Sequence, residues 1–160
     1  MNQDKQFMNT KFVGHHISAG GYIFFYESSS KEIFVALIKN KKGEWWIPNG
    51  HVESWENELE SCYREIEEEV NLKKEDLVYV DFLEKYTFNF LDEQKRENSK
   101  EIHTYVFEAI EKLDMNVDNG GDDVKVAEWF EIQKALEVIL PYSKQQLENA
   151  IKIFKQYKKI

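Results

Sequence analysis

Hydrophobic positions along this chain follow two patterns: dense or alternating short runs that suit strands, and i, i+3, i+4 spacings that suit helices. From Phe12, FVGHHISAGGYIFFYES predicts one or two strands, with a bend where Gly20 and Gly21 adjoin. SSSKE turns the chain, and EIFVALIKN predicts a strand buried on both faces. NKKGE is a second turn leading to the aromatic piece WWIP, after which Pro48 and Gly50 interrupt regular structure. ENELESCYREIEEEV then takes helical spacing with no internal Gly or Pro, and Asn71 stands where a left-handed cap is wanted. LVYVDFLEKYTFNF is strand-like with room for a bulge, LDEQKRENSK a charged loop, and EIHTYVFEAI a partly alternating strand. DMNVDNGGDD is an acidic turn region and VKVAEWFEI a last strand. IQKALEVIL predicts a short helix ended by Pro141, and SKQQLENAIKIFKQYKK an amphipathic C-terminal helix. Strands with helices inserted between them predict an α/β fold, a mixed β-sheet covered by helices in an α/β/α sandwich. With no repeat and no linker, residues 1–160 read as a single domain whose first ten or so residues are flexible.

Composition narrows the function classes. Apolar residues at 42% exclude a disordered chain, while the longest apolar runs are too short for a membrane span. The N-terminus lacks a charged-then-apolar signal, and the single Cys62 excludes an internal disulfide, which together predict a cytoplasmic protein. A net charge of −9 repels a phosphate backbone and argues against nucleic-acid partners. An anionic small molecule remains acceptable where a metal ion supplies local positive charge.

The acidic helix is informative when read by angle, advancing about 100° per residue. Leu59, Cys62, Tyr63, Ile66 and Val70 gather on a core side, Glu60 and Glu67 lie opposite, and Arg64 is placed to pair with Glu60. Glu65, Glu68 and Glu69 stack on one narrow flank, with no lysine or arginine of the helix expected there. Each like-charged pair costs ~0.2–0.5 kcal/mol, and the helix C-terminus adds to the penalty. A solvated acidic face is one reading. A site for a hard divalent cation is the other, since carboxylate oxygens suit Mg²⁺ and Mn²⁺.

GHVESWENELESCYREIEEEVNL, spanning Gly50 to Leu72, resembles the signature of the Nudix hydrolases. Gly50, Glu56, Arg64, Glu65, Ile66, Glu68, Glu69 and Leu72 match that pattern, and Asn71 stands where the family has Gly. SAGGYIF is similar to the family's opening strand and AEWF to its late strand. The resemblance implies a metal-dependent pyrophosphohydrolase cleaving a nucleoside diphosphate linked to another group. It implies that Glu65, Glu68 and Glu69, with the carbonyl of Asn49, hold Mg²⁺ or Mn²⁺, and that Arg64 and Glu56 orient loop and helix. Glu65 is one candidate for the base that takes a proton from water; Glu93, Glu97 and Glu101 are the later candidates, of which Glu97 and Glu101 are favoured by their place at the start of a strand expected to enter the site.

WWIPNGHVE is similar to the diadenosine polyphosphate and diphosphoinositol hydrolase branch, although Asn49 replaces that branch's usual Lys and Trp55 its Gly. KEIHTYVFEA also resembles that branch, which places Lys100 and His103 near the phosphates. Tyr86, Phe88 and Phe90 alternate on one strand face, read as core packing with base stacking as the rarer role. His15 and His16 have no metal-ligand partner at useful spacing and read as strand residues. The implied substrate is a small nucleotide, a dinucleoside polyphosphate or a nucleoside triphosphate, handled by a monomer or homodimer. A capped or triphosphorylated RNA end is disfavoured by the acidic surface. The alternative is a Nudix-shaped module that senses a nucleotide without hydrolysing it; isoprenoid diphosphate isomerisation is set aside because Cys62 falls on the core side of the helix.

Overall fold

The architecture is that of a computed structural model describing residues 12–115 and 124–160. The expectations for the first ten residues and for the DNGGDD turn lie outside those residues. Among the described residues seven strands form one mixed sheet: β1 (Phe12–Glu27), β2 (Glu32–Asn40), β3 (Trp45–Trp46), β4 (Asn49–His51), β5 (Leu77–Leu91), β6 (Glu97–Ala109) and β7 (Val124–Glu131). The order is β3-β2-β1-β6-β5, with β4 beside β1 and β7 beside β2. Among the described residues there are three α-helices: α1 (Glu58–Val70), α2 (Ile132–Val138) and α3 (Lys144–Lys158). Among the described residues no helix is long and apolar enough to cross a membrane.

β1 organises the sheet. Its centre, Ser18–Gly20, pairs with β4, its end, Phe24–Glu27, pairs with β2, and its other edge runs parallel to β6. The bend expected at Gly20 and Gly21 is absent, because both residues lie inside one continuous strand. Their small size serves close packing instead. A Cβ on Gly20 would come within 2.9 Å of Asn49, and one on Gly21 within 2.9 Å of Phe107.

Alternation along the strands divides the core. Tyr22, Phe24, Val35 and Leu37 pack on one face under α2 and α3, with Ala135, Leu147, Ala150 and Phe154. Ala19, Ile23, Ala36 and Ile38 pack on the other with Cys62, Ile66 and Val70 of α1. β2 is therefore buried on both faces, as its unbroken apolar run requires. β5 carries register shifts after Tyr79 and after Phe82. The charged loop expected after β5 shrinks to a tight turn, because the Asp92 carboxylate accepts the backbone N–H groups of Gln94 and Arg96. Glu97 and Glu101 consequently belong to β6. At the far end, α2 stops at Val138 and the segment Pro141–Ser143 forms a 3₁₀ turn.

Helix α1 is defined by local chemistry at both ends. Asn57 accepts from the Glu60 N–H at 2.8 Å and Glu60 accepts from the Asn57 N–H at 2.8 Å, a complete capping box. That engagement removes Glu60 from the ion pair expected with Arg64. The guanidinium turns instead to Glu56, with Nη2 at 2.5 Å and Nε at 3.0 Å, and donates to the His51 carbonyl at 2.9 Å. It thereby ties the loop after β4 to the second turn of α1. At the other end Asn71 adopts φ 58° and ψ 31° and donates its N–H to the Glu67 carbonyl, the left-handed cap its position called for.

Asn71→Ala should lower unfolding stability by about 1 kcal/mol, the cost of a Cβ-bearing residue in this conformation without the amide, while Asn71→Gly should be near neutral in urea titration. A second expectation concerns acid. Arg64 holds the Glu56 carboxyl below its ordinary range, so this ion pair adds stability above the unfolded-state value that is lost as pH falls through the folded one. Chemical denaturation from about pH 6 down to pH 3 should show a shallower loss of stability in Glu56→Gln than in the wild-type chain.

Candidate active site

α1 presses two glutamates onto β4. The carboxyl group of Glu65 lies where a Cβ on residue 50 would stand, so any larger residue there would push that carboxyl out of its place against the strand. One turn later, Glu69 is buried and its Oε1 accepts the Asn49 N–H at 2.7 Å. The Asn49 amide folds back onto the Ile47 carbonyl at 2.8 Å, so its side chain serves its own loop. Glu68, between them in sequence, remains 50% exposed. The flank predicted to lack a cation has one. Arg64 Nη1 donates to Glu65 at 2.9 Å and to Glu68 at 3.2 Å, because the i, i+1 and i, i+4 relations place both within reach of one guanidinium already anchored on Glu56. Burial raises the pKa of Glu65, and Arg64 opposes that shift.

Among the described residues no three Asp, Glu, His or Cys groups are gathered as a ready metal cage. The donor chemistry nevertheless suits a divalent ion. Glu65, Glu68, Glu69 and the Asn49 carbonyl offer hard oxygens only, from neighbouring turns of one helix and the strand it touches. The residues fit Mg²⁺ or Mn²⁺ once Glu65 and Glu68 turn from Arg64.

A trough opens beside them. Ser18, Trp46, Asn49, Glu69, Lys100 and Tyr142 are among the residues lining a cleft of about 340 Å³. Trp46, Lys100 and Tyr142 also border a more apolar cleft of about 540 Å³ walled by Tyr86, Phe88 and Ile102. Tyr86 and Phe88 stack with centroids 5.9 Å apart and planes 24° from parallel. Core packing, the role expected for this strand face, does not hold: Tyr86 is half-buried, Phe88 is 40% exposed, and both wall the cleft. β5 lies at the sheet edge, so its aromatic face has no helix to cover it fully.

The remaining predicted residues divide by strand alternation. Lys100 faces the trough, and burial lowers its pKa. Glu101 and His103 face the opposite side, hydrogen-bonded to each other, with His103 4.0 Å from Glu58 at the start of α1 and Glu101 3.4 Å from His15. The His103 contact holds the Glu101 carboxyl below its ordinary range. Lys100 and His103 therefore do not share a site. Glu97 opens β6 opposite Leu91, and Glu93 lies exposed in the preceding turn; neither lines the trough. Trp55 is a surface aromatic, 74% exposed.

Sequence reading missed Ser18, Trp46 and Tyr142. Ser18 is 1% exposed, its hydroxyl lacks a hydrogen-bond partner among the described residues, and it borders the cleft. Nothing local marks it. Trp46 had a signal in its neighbour Pro48, and Tyr142 in following Pro141, where the chain leaves the sheet.

The NUDIX domain model matches residues 14–151. An RNA pyrophosphohydrolase of Pelagibacter ubique (strain HTCC1062) is 38% identical over 52 residues, 32% of this chain and 33% of that protein, so the match spans about a third of that relative's length. The C. elegans Ap4A hydrolase in a binary complex superposes with a TM-score of 0.71 at 19% identity, covering 88% of this chain and 98% of that one. The M. smegmatis Nudix hydrolase RenU gives a TM-score of 0.66 at 17% identity, with 88% of each chain covered. The NUDIX domain of Shewanella oneidensis NrtR, complexed with ADP ribose, gives 0.62 at 13% identity over 93% of this chain and 97% of that one. These structures share the fold, and the domain match extends from β1 into α3, through the loop and helix that carry the glutamates: the chain belongs to the Nudix family.

Proposed function

We propose that this chain is a divalent-metal-dependent pyrophosphohydrolase acting on a small nucleotide, a dinucleoside polyphosphate or a nucleoside triphosphate. The observation that carries this reading is the meeting of Glu65 and Glu69 with β4 at the edge of a trough that holds Lys100 and ends in stacked aromatic rings. An acidic patch, an anion-seeking cation and a π-rich wall suit the three parts of such a substrate: metal-bound phosphates, free phosphate charge and a base.

Glu65, Glu68, Glu69 and the Asn49 carbonyl would hold Mg²⁺ or Mn²⁺, with Arg64 fixing the carboxylates that face it. When bound, such an ion neutralises phosphoanhydride charge and makes a water more acidic. Lys100 draws the phosphate chain into the trough, and the Ser18 hydroxyl is available to donate to a ligand oxygen. Tyr86 and Phe88 offer a face for the base, with Trp46 and Tyr142 closing the other walls. Glu65 takes the proton of the attacking water. Its position against Gly50 suits that role better than Glu101, which lies on the reverse face with its carboxylate engaged by His103.

Hydrolysis of diadenosine tetraphosphate, nucleoside triphosphates and nucleotide sugars with Mg²⁺ or Mn²⁺ tests the reading, with products separated by chromatography. One class should be turned over, metal removal should abolish turnover, and Glu68→Gln should lower kcat by roughly a hundredfold or more with the fold intact by circular dichroism. Nucleotide binding without turnover of any class would make the chain a sensing module. Tyr86→Ala should raise KM about tenfold, the scale of one lost base–aromatic stack, with a smaller change in kcat.

A further inference from the structure

Past its aromatic wall the trough has a polar end. A hollow of about 280 Å³ opens between β5 and the first two turns of α3, and it shares Tyr86 and Tyr142 with the apolar cleft. Glu84, Gln146 and Asn149 also line it. Glu84 and Tyr86 stand two apart in a regularly paired stretch of β5, opposite Thr104 and Ile102. They therefore share a strand face, with Glu84 roughly 6.5 Å along the strand from the residue whose ring walls the cleft.

The Glu84 carboxylate is held from the core side and only partly used. Tyr22, fully buried, donates its hydroxyl to Gln146 Oε1 at 2.6 Å, and Gln146, 7% exposed, donates Nε2 to Glu84 Oε2 at 2.8 Å. Because a carboxylate only accepts, the Gln146 amide turns its nitrogen to Glu84 and its oxygen to Tyr22, which fixes the whole chain of bonds. Among the described residues Glu84 Oε1 has no hydrogen-bond partner. Asn149 accepts from Gln145 Nε2 at 3.1 Å through Oδ1, which leaves its own Nδ2 to donate.

An oriented acceptor beside a π-rich wall matches a ring with N–H donors on its edge. Guanine carries two adjacent donors, N1–H and the N2 amino group, followed by the O6 acceptor. Adenine sets its one amino donor beside N1, an acceptor that a carboxylate repels, and uracil flanks its one donor with two carbonyls.

We infer that Glu84 and Asn149 select a guanine base at this end of the trough: the Glu84 carboxylate accepts from N1–H and the N2 amino group, and Asn149 Nδ2 donates to O6. The inference rests on the reading of Tyr86 as the platform for the base and deepens it by naming the nucleoside.

Calorimetric titration of the full chain with GMP, IMP and AMP, in chelator-treated buffer, tests base choice without turnover. GMP should bind about tenfold or more tighter than AMP, the scale of one hydrogen bond to a charged group, with IMP, which lacks the N2 amino group, between them. Glu84→Gln should weaken GMP about tenfold and keep AMP. Asn149→Ala, which leaves the Gln146 brace alone, should weaken GMP and IMP and spare AMP. Equal affinity of the wild-type chain for GMP and AMP, a Glu84→Gln loss shared by AMP, or an Asn149→Ala variant that matches the wild type would each overturn the selection. The platform is read separately, since Tyr86→Ala should weaken all three nucleotides alike. Base preference that follows Glu84 while Tyr86→Ala changes nothing leaves the selection standing and removes the platform; a uniform loss in Tyr86→Ala with no effect of Glu84→Gln does the reverse.

Discussion

The geometry of the site depends on the contact between the Glu65 carboxyl and Gly50, where a Cβ would push that carboxyl aside. A helix bearing several carboxylates on one flank resists being driven against a sheet, since burial and mutual repulsion both oppose it. Here the approach is stabilised by what surrounds it: Ile66 and Val70 buried on the adjoining stripe, the Asn49 N–H donated to Glu69, and Arg64 spread over Glu56, Glu65 and Glu68. One guanidinium thus serves as the tie between loop and helix and as the partner of two glutamates. The Glu56 arm fixes where Arg64 sits, so it can hold the others without wandering from them.

What was legible in the sequence was what local chemistry decides. The Asn71 cap and the buried stripe of α1 depend on residues within a few turns of each other, and the structure places them as spacing predicts. The segments of β1, β2, β5, β6 and β7 were found for the same reason, including the irregular β5, whereas β4 forms where Pro48 and Gly50 were expected to interrupt regular structure, because β1 supplies it a partner from a distance. Choices made between distant segments were not legible. Arg64 was matched to Glu60 by spacing, and Glu60 was lost to a competing local bond that frees the guanidinium for Glu56. The aromatic face of β5 has the pattern of a core strand, and only its place at the sheet edge leaves it as a wall of the trough. Lys100 and His103 looked like neighbours, but their odd separation on a strand sends them to opposite faces. The tight turn at Asp92, closed by its carboxylate, drew Glu97 out of a loop and into β6.

Charge is distributed with the same economy. The surface is acidic, yet the trough carries Lys100 and His51 on its wall beside the glutamates. Net charge alone describes how the molecule meets a polyelectrolyte; the local arrangement describes how it meets a small anion.

The parallel pairing of β1 with β6 has a consequence for how the molecule comes into being. β1 is the spine of the sheet, but the strand that covers its long edge begins at Glu97, so His15 meets Ser99 across 84 positions of sequence. Pairings of such separation form late, because a long loop must close before they contribute. During synthesis the hairpin of β1 and β2 can assemble early, whereas the trough, walled by β1, β5, β6 and finally Tyr142, takes shape only after most of the chain has emerged. An unfinished chain exposes the Tyr22 and Phe24 face of its central strand before α3 exists to cover it. For this molecule, the interval between making β1 and making α3 is the window in which it is most open to association with other chains.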